Sequence, residues 1–98
     1  MSNKIYTNGS FIIFRSDKGY VVYNRAKRFE EGHTHLNNFN AGKKAISLVK
    51  RRKIPLRSSN YYLESLARLT SDRNYAKELR EIIKDREISY KNRATKEK

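Results

Sequence analysis

The chain has 98 residues, of which 37% are apolar, so it can bury one small hydrophobic core but not two. It contains no cysteine, which excludes disulfide bonds and thiolate metal sites. Lysine and arginine number 23 against 10 aspartates and glutamates, and such an excess of positive charge attracts polyanions. We therefore expect one basic domain over residues 1–87 and a flexible basic tail over residues 88–98.

The N-terminal residues predict an antiparallel meander of three strands. The dipeptide Asn8-Gly9 is typical of a type I′ turn, which would pair Tyr6 with Phe11. A second turn in the segment SDKGY would place Gly19 in the left-handed conformation. In this register the strands alternate between a core face and a second face.

The two faces of the predicted sheet differ in composition. The core face would carry Ile5, Ile12, Phe14, Tyr20 and Val22. The second face would carry Tyr6, Phe11, Ile13, Arg15, Val21, Tyr23 and Arg25. Because aromatic rings stack on bases and arginines pair with phosphates, Arg15 and Arg25 are candidate nucleic-acid contacts. The alternative is a sheet covered on both faces, by helices or by a second copy of the chain.

Residues 26–39 predict a loop that holds two histidines one residue apart, His33 and His35. A metal site would need a third ligand from a nearby glutamate or Asn37, and a nuclease would need a second acid–base partner. Neither is indicated by the spacing, so we predict no metal, no cofactor and no catalytic residue. We predict an elbow between sheet and helix, in which His33, His35 and Asn37 contact phosphates or base edges.

Three amphipathic patterns follow this loop and predict three helices. The first begins with Asn40 as N-cap and runs to about Lys53, and Pro55 ends it. The second and third cover residues 56–70 and 71–87. The predicted fold is therefore of the α+β class, with a three-stranded antiparallel β-meander followed by three α-helices in a single small domain.

The positive charge is unevenly distributed along the chain. Residues 1–63 carry 13 basic and 3 acidic side chains, whereas residues 64–98 carry 10 and 7. No acidic residue lies between Glu31 and Glu64. The cations of this interval are the candidate phosphate contacts, namely Lys43, Lys44, Lys50, Arg51, Arg52, Lys53 and Arg57. We predict a non-enzymatic protein that binds RNA, DNA or a nucleoprotein.

The segment GHTHLNNFNAGKKAISLVKRRKIP, followed by YYLESLARLTSD, resembles small orphan proteins encoded by phages and mobile elements of Gram-positive bacteria. The resemblance covers residues 5–83 and rests on Gly32, His33, Thr34, His35, Asn38, Phe39 and Pro55. It implies a setting in the cytoplasm of a bacterial host, as a regulator or as an inhibitor of host defence of the anti-CRISPR kind. The implied partner is then a nucleoprotein such as a guide-RNA effector nuclease.

Two other functions stay open at this point. The protein could be a protein–protein inhibitor that docks its basic surface on an acidic host protein, with Tyr6, Phe11 and Tyr23 as the apolar centre. It could also be a nuclease that uses His33 and His35. We expect no membrane partner, because no apolar run approaches the roughly 20 residues that cross a bilayer. A homodimer would give so small a sheet a second covering layer.

Overall fold

The computed structural model describes residues 3–96 of the chain and the side chains of residues 4–89. The strands are β1 (Asn3–Asn8), β2 (Phe11–Ser16), β3 (Gly19–Asn24) and β4 (His33–Leu36). The helices are α1 (Phe29–Gly32), α2 (Phe39–Arg51), α3 (Asn60–Leu69) and α4 (Arg73–Lys96). The strands form one antiparallel sheet in the order β1-β2-β3-β4.

The α+β class is confirmed, but the described part has four strands and four helices rather than three of each. The additional strand, β4, lies in the predicted loop 26–39, together with the single turn of α1. Its buried residues are Thr34 and Leu36, while His33 and His35 alternate with them on the opposite face. The burial of Thr34 depends on the Ser65 hydroxyl of α3, whose Oγ lies 2.6 Å from Thr34 Oγ1. A contact so distant in sequence leaves no trace in local periodicity.

The first hairpin is displaced by two residues from the predicted register, because Tyr6 pairs with Ile13 and not with Phe11. Asn8 pairs with Phe11 across the turn, so the loop consists of Gly9 and Ser10. Of these two loop residues only Gly9 has a positive φ, of 63°, as in a type II′ turn with glycine first. The second hairpin pairs Ile13 with Val22, whereas the prediction placed Ile12 and Phe14 on the face of Val22. Since a shift of one residue exchanges the faces of a strand, the predicted core face was wrong for β1 and β2 and right for Tyr20 and Val22 of β3.

The corrected register defines an inner face, which the helices cover, and an outer face. The inner face carries the core residues Phe11, Ile13, Val22 and Leu36. The outer face carries Ile12, Phe14, Val21, Tyr23, His33 and His35. The predicted second face, with Tyr6, Phe11 and Ile13 on the same side as Val21 and Tyr23, therefore does not form.

Helices α2 and α3 pack on the inner face. The side chain of Asn38, rather than the predicted Asn40, caps α2 by accepting a hydrogen bond of 3.1 Å from the amide of Ala41. Gly42 lets the helix approach the sheet closely, because a Cβ there would lie 3.1 Å from Val22 and 3.2 Å from Ile13. Ala45, Ile46, Leu48 and Val49 complete the buried stripe of α2.

Helix α4 packs mainly against α3 and buries Tyr75 and Leu79 in the common core. Its backbone continues to Lys96, through most of the segment 88–98 for which the sequence predicts a flexible tail. Glu97 and Lys98 lie outside the described residues, and flexibility of the segment stays a prediction. In the part of the chain that the structure describes, no helix is long and apolar enough to cross a membrane.

Asn24 joins the sheet to the helices at one buried point, where its side chain is 2% exposed. Its Oδ1 accepts hydrogen bonds from the Ser10 hydroxyl at 2.7 Å and the Ala26 amide at 2.9 Å. Its Nδ2 donates to the Leu69 carbonyl at 2.8 Å and to the Ser71 hydroxyl at 3.1 Å. All four hydrogen-bonding positions of the amide are thus used, so its burial is compensated.

We predict that Gly19→Asn destabilises the domain much more than Gly9→Asn. Gly19 has φ +145°, and a Cβ there would lie 2.8 Å from the Leu36 carbonyl oxygen, so a side chain should cost about 2 kcal/mol or more. Gly9 has φ +63°, which asparagine tolerates, and its nearest neighbour is the mobile end of Lys50, so its loss should cost under about 1 kcal/mol. Urea unfolding of both variants measures the difference. Equal losses would contradict the close approach of β3 and β4.

Candidate nucleic-acid interface

Four cations form a stripe on the solvent side of α2. The α2 stripe consists of Lys43, Lys44, Lys50 and Arg51, which are all exposed. At about 100° per residue, these positions fall within roughly one third of the helix circumference, opposite the buried stripe. Because α2 contains no acidic residue, the stripe has no counter-charge on its own helix.

Two of these cations contact the edge of the sheet and two are free. The Lys43 ammonium lies 5.5 Å from the ring centroids of Tyr6 and of Phe39. Lys50 Nζ donates a 2.7 Å hydrogen bond to Asn8 Oδ1. Within the described side chains, no hydrogen bond or ion pair involves Lys44 or Arg51. The stripe is therefore held in place at β1 without loss of its charge.

The three predicted phosphate contacts that follow α2 differ in whether their charge is paired. Arg52 ends the helix in the left-handed conformation, with φ 53°, and its Nε lies 2.5 Å from Asp72 Oδ2, so its charge is compensated. Lys53 and Arg57 are exposed. The backbone carbonyl of Lys53 accepts a 2.5 Å hydrogen bond from the Tyr75 hydroxyl, and burial raises the pKa of Tyr75 to about 12. The phenol therefore stays protonated and fixes the segment that carries these two cations.

Other cations stabilise the fold and are less available to a partner. Lys27 Nζ donates to the carbonyls of Arg68 at 2.8 Å and Thr70 at 2.9 Å, and burial, with Arg80 nearby, lowers the pKa of Lys27. Arg68 donates to the His33 carbonyl at 2.8 Å and the Glu30 carbonyl at 2.6 Å. Arg80 pairs with Glu64 at 3.0 Å, and Arg86 donates to the carbonyls of Leu56 and Ser58. In the α2 stripe Lys50 alone makes a hydrogen bond, to the Asn8 side chain, and no member pairs with a carboxylate among the described side chains.

The predicted histidine contacts lie apart from the α2 stripe, on the outer face of the sheet. There the rings of Tyr23, Phe29, His33 and His35 form a ring pile. The Phe29 and His33 rings are stacked at 4.1 Å with an interplanar angle of 4°, and the His33 and His35 rings meet edge to face at 5.1 Å. Since α2 packs on the inner face, the structure does not bring His33 and His35 together with the lysines of the α2 stripe.

Arg15 and Arg25 are exposed at opposite ends of the β2–β3 hairpin. The Arg15 guanidinium lies 6.0 Å from the Tyr20 ring centroid, beside the turn from β2 to β3. Arg25 follows the other end of β3, where its Nη2 donates to the Gly9 carbonyl at 3.4 Å. They share no surface with each other, so any contact with nucleic acid would involve two separate places.

An open cleft of about 440 Å³ lies at the end of β4, and we name it the β4 cleft. Its polar and aromatic lining consists of Ser16, Lys18, Tyr20, His35, Asn37 and Tyr61. The sequence indicated His35 and Asn37 but missed Lys18, Tyr20 and Tyr61. The one available signal was Tyr61, which is a large aromatic residue off the apolar stripe of α3 and is 60% exposed.

Clusters of potential metal ligands were sought among the side chains of the described residues. This part of the chain holds no group of three or more His, Cys, Asp or Glu side chains placed to bind a metal ion. Each of its buried polar side-chain atoms has a hydrogen-bond partner. In comparisons with protein-family models, curated proteins and solved structures, no match to the chain was found.

We predict that Asp72 makes stability depend on pH in the acid range. The amide of Tyr75, the Arg52 guanidinium and the amide of Asn74 hold the pKa of Asp72 below its ordinary value. Its contribution is therefore complete above about pH 4, the pKa of an unfolded aspartate, and is lost as the pH falls further. Asp72→Asn keeps a capping side chain but cannot titrate. Between about pH 5 and pH 2, its urea midpoint should fall less than that of the unmodified protein.

The matched control for this experiment is Asp85→Asn. Asp85 is exposed on α4, and it makes no ion pair among the described side chains. This variant should follow the unmodified protein across the pH range. An equally steep loss of stability in Asp72→Asn would show that Asp72 does not contribute.

Proposed function

We propose that the protein binds nucleic acid, free or within a nucleoprotein, through the α2 stripe and the adjoining segment 52–57, and that it does so without catalysing a reaction. Exposed cations that lack an acidic partner are neutralised by phosphates, and the counterions released from the nucleic acid favour binding. The observation that carries the proposal is the absence of any acidic side chain on α2 beside four exposed cations.

The exposed face of α4 shows what an ordinary charged helix surface looks like in the same protein. Lys77 and Lys84 are exposed there, and Glu81 lies four residues after the first and three before the second. Opposite charges at these spacings neutralise each other on a helix. A surface that served only solubility would intersperse both signs in this way. The α2 stripe does not, so we infer a polyanionic partner for it.

The spacing of the stripe suits a phosphate backbone. Lys43 and Lys50, like Lys44 and Arg51, are separated by two helical turns, or about 10 Å. Three phosphate steps along one strand of a duplex cover about the same distance along its axis. Contacts of this kind position the protein but read no sequence. Specificity would have to come from another part of the surface.

The biological setting belongs to the proposal and rests on the sequence resemblance. Small proteins of phages and mobile elements include inhibitors of host defence, and a guide-RNA effector offers exposed phosphates to the α2 stripe. We therefore propose the nucleic acid of such a nucleoprotein as the target. Guide RNA is accordingly one of the ligands in the binding experiment below.

One observation weighs against each of the two alternative functions. The apolar centre suggested for a protein–protein inhibitor does not form, because Phe11 is buried and Tyr6 packs edge-on against Phe39 on the helix side. For a nuclease, His33 Nδ1 lies 2.5 Å from the Phe29 carbonyl and its ring is stacked on Phe29, which restricts its movement. Neither function gains a specific observation in its favour.

We predict that Lys44→Gln with Arg51→Gln weakens binding to duplex DNA, single-stranded DNA and RNA alike. Each phosphate contact contributes a slope of about 0.9 to the dependence of log K on log salt for duplex DNA, and about 0.7 for single strands. Loss of two contacts should lower the slope by about 1.8 or about 1.4. Fluorescence anisotropy of labelled oligonucleotides and guide RNA over a range of salt measures both quantities.

The matched control is Lys77→Gln with Lys84→Gln, which removes the same charge at the same spacing from α4. It should leave the slope nearly unchanged. Equal effects of the two pairs would mean that overall charge, and not the α2 stripe, attracts the ligand. Weak binding by the unmodified protein that disappears near physiological salt would refute the proposal and favour an acidic protein target.

We predict that Asp72→Asn tightens binding. The substitution keeps the N-cap of α4 but frees Arg52, which adjoins the stripe, from its ion pair. If Arg52 then engages a phosphate, affinity should rise severalfold at low salt and the slope should increase by about 0.9 on duplex DNA. Asp85→Asn changes the net charge equally and should have a much smaller effect. The same gain in both variants would contradict a contact at Arg52.

A further inference from the structure

The β4 cleft is a recess whose lining has the chemistry of a nucleotide site. Its volume of about 440 Å³ lies within the range of about 300–1,000 Å³ that small-molecule sites occupy. It is lined by one ammonium group, one imidazole, one side-chain amide, hydroxyl groups and two tyrosine rings, with no carboxylate among them. Such a lining favours an anionic ligand with a flat polar ring.

Tyr61 is the part of the cleft best placed to bind a ring. It is 60% exposed, yet its hydroxyl is fixed by a 2.6 Å hydrogen bond to the His35 carbonyl. With His35 it also lines a smaller hollow of about 170 Å³, whose lining includes His33, Glu64 and Arg68. A ring that is already fixed loses little entropy when a base stacks on it.

The polar groups of the cleft match the other parts of a nucleotide. Lys18, in the turn before β3, is exposed, and its ammonium group can neutralise a phosphate. Asn37 is exposed, and its side-chain amide offers both donors and an acceptor to a base edge. The Watson–Crick edge of a base is accessible only when the base is unpaired, because pairing occupies that edge in a duplex.

The ring pile extends this surface along β4. His35 belongs both to the cleft and to the pile, where it meets the His33 ring. Beyond His33, Phe29 is 46% exposed. Successive aromatic rings along one edge are typical of surfaces that bind single strands without sequence preference.

We propose that the β4 cleft binds one unpaired nucleotide of a single-stranded nucleic acid, with the base on Tyr61 and a phosphate on Lys18. This inference deepens the proposed function and rests on it for the binding of the rest of the strand to the α2 stripe. It assigns the choice of single strand over duplex to the cleft, while the stripe contacts phosphates of either form.

The first test uses mononucleotides, which are too small to need the α2 stripe. Amide resonances of the full-length protein are followed by NMR during titration with uridine and adenosine monophosphates, and separately with ribose 5-phosphate. Shifts at Asn37 and Tyr61 are expected with the nucleotides and not with the sugar phosphate, whereas Lys18 should shift with both, because both carry a phosphate. Equal shifts at Asn37 and Tyr61 with ribose 5-phosphate, or none near Tyr61, would overturn the assignment of a base site.

The second test uses three single variants and labelled oligonucleotides. Tyr61→Leu should weaken binding of single-stranded RNA or DNA by about 5- to 100-fold and leave duplex binding unchanged, because only the unpaired base loses its platform. Tyr61→Phe keeps the ring and should bind nearly as the unmodified protein does. Lys18→Gln alters an exposed turn residue and should weaken single-strand binding without affecting the fold. A urea midpoint for each variant separates loss of binding from loss of folding.

The outcomes distinguish this inference from the proposed function. If Tyr61→Leu and Lys18→Gln bind single strands normally while Lys44→Gln with Arg51→Gln does not, the cleft is refuted and the stripe stands. If the α2 pair binds normally and the cleft variants do not, the proposed role of the stripe fails while the cleft stands. Saturable binding of an aromatic peptide in the cleft, with no binding of mononucleotides, would refute the nucleotide site and indicate a protein partner.

Discussion

The fold depends on one buried amide, that of Asn24, because it joins the sheet to α3 and to the segment before α4. Its four hydrogen bonds connect the first hairpin, the end of β3, the C-terminus of α3 and the residues just before α4. A polar side chain so deeply buried is tolerated only when all its hydrogen-bonding positions are used. The geometry that satisfies it therefore fixes α3 over the sheet, and α4, which packs on α3, follows. Both the α2 stripe and the β4 cleft depend on that placement, since α3 contributes Tyr61 to the cleft and leaves the solvent side of α2 open.

The positive charge of the protein serves two purposes that composition alone does not separate. One set of cations, Lys27, Arg68 and Arg86, donates to backbone carbonyls and thereby fixes loops and helix ends. The other set, the α2 stripe, faces solvent without an acidic neighbour on its helix. The second set is exposed, lies together on one side of one helix and has no acidic neighbour there, which favours contact with a polyanion. The net charge of +13 therefore exceeds the charge available at the proposed interface, and the position of the α2 stripe locates that interface.

Patterns that are complete within a short segment could be predicted from the sequence. The α2 helix is such a case, because its apolar stripe, its end before Pro55 and its freedom from acidic residues all lie within one segment. Features that depend on distant partners could not. The strand β4 requires Ser65 to satisfy Thr34, and the register of the β2–β3 hairpin, which pairs Ile13 with Val22, depends on the helices that cover that face. The β4 cleft combines Lys18, Asn37 and Tyr61, which come from three separate parts of the chain.

The hydrogen bonds from Lys27, Arg68 and Arg86 to backbone carbonyls have a consequence for how the protein responds to salt. Carbonyl groups do not titrate, and short contacts of this kind are screened far less than separated surface charges. Among the described residues only two ion pairs occur, Arg52 with Asp72 and Arg80 with Glu64. The fold and the proposed binding therefore differ in their electrostatics. A salt concentration high enough to dissociate a polyanion from the α2 stripe should leave the domain folded. Dissociation and rebinding of the ligand should therefore be reversible.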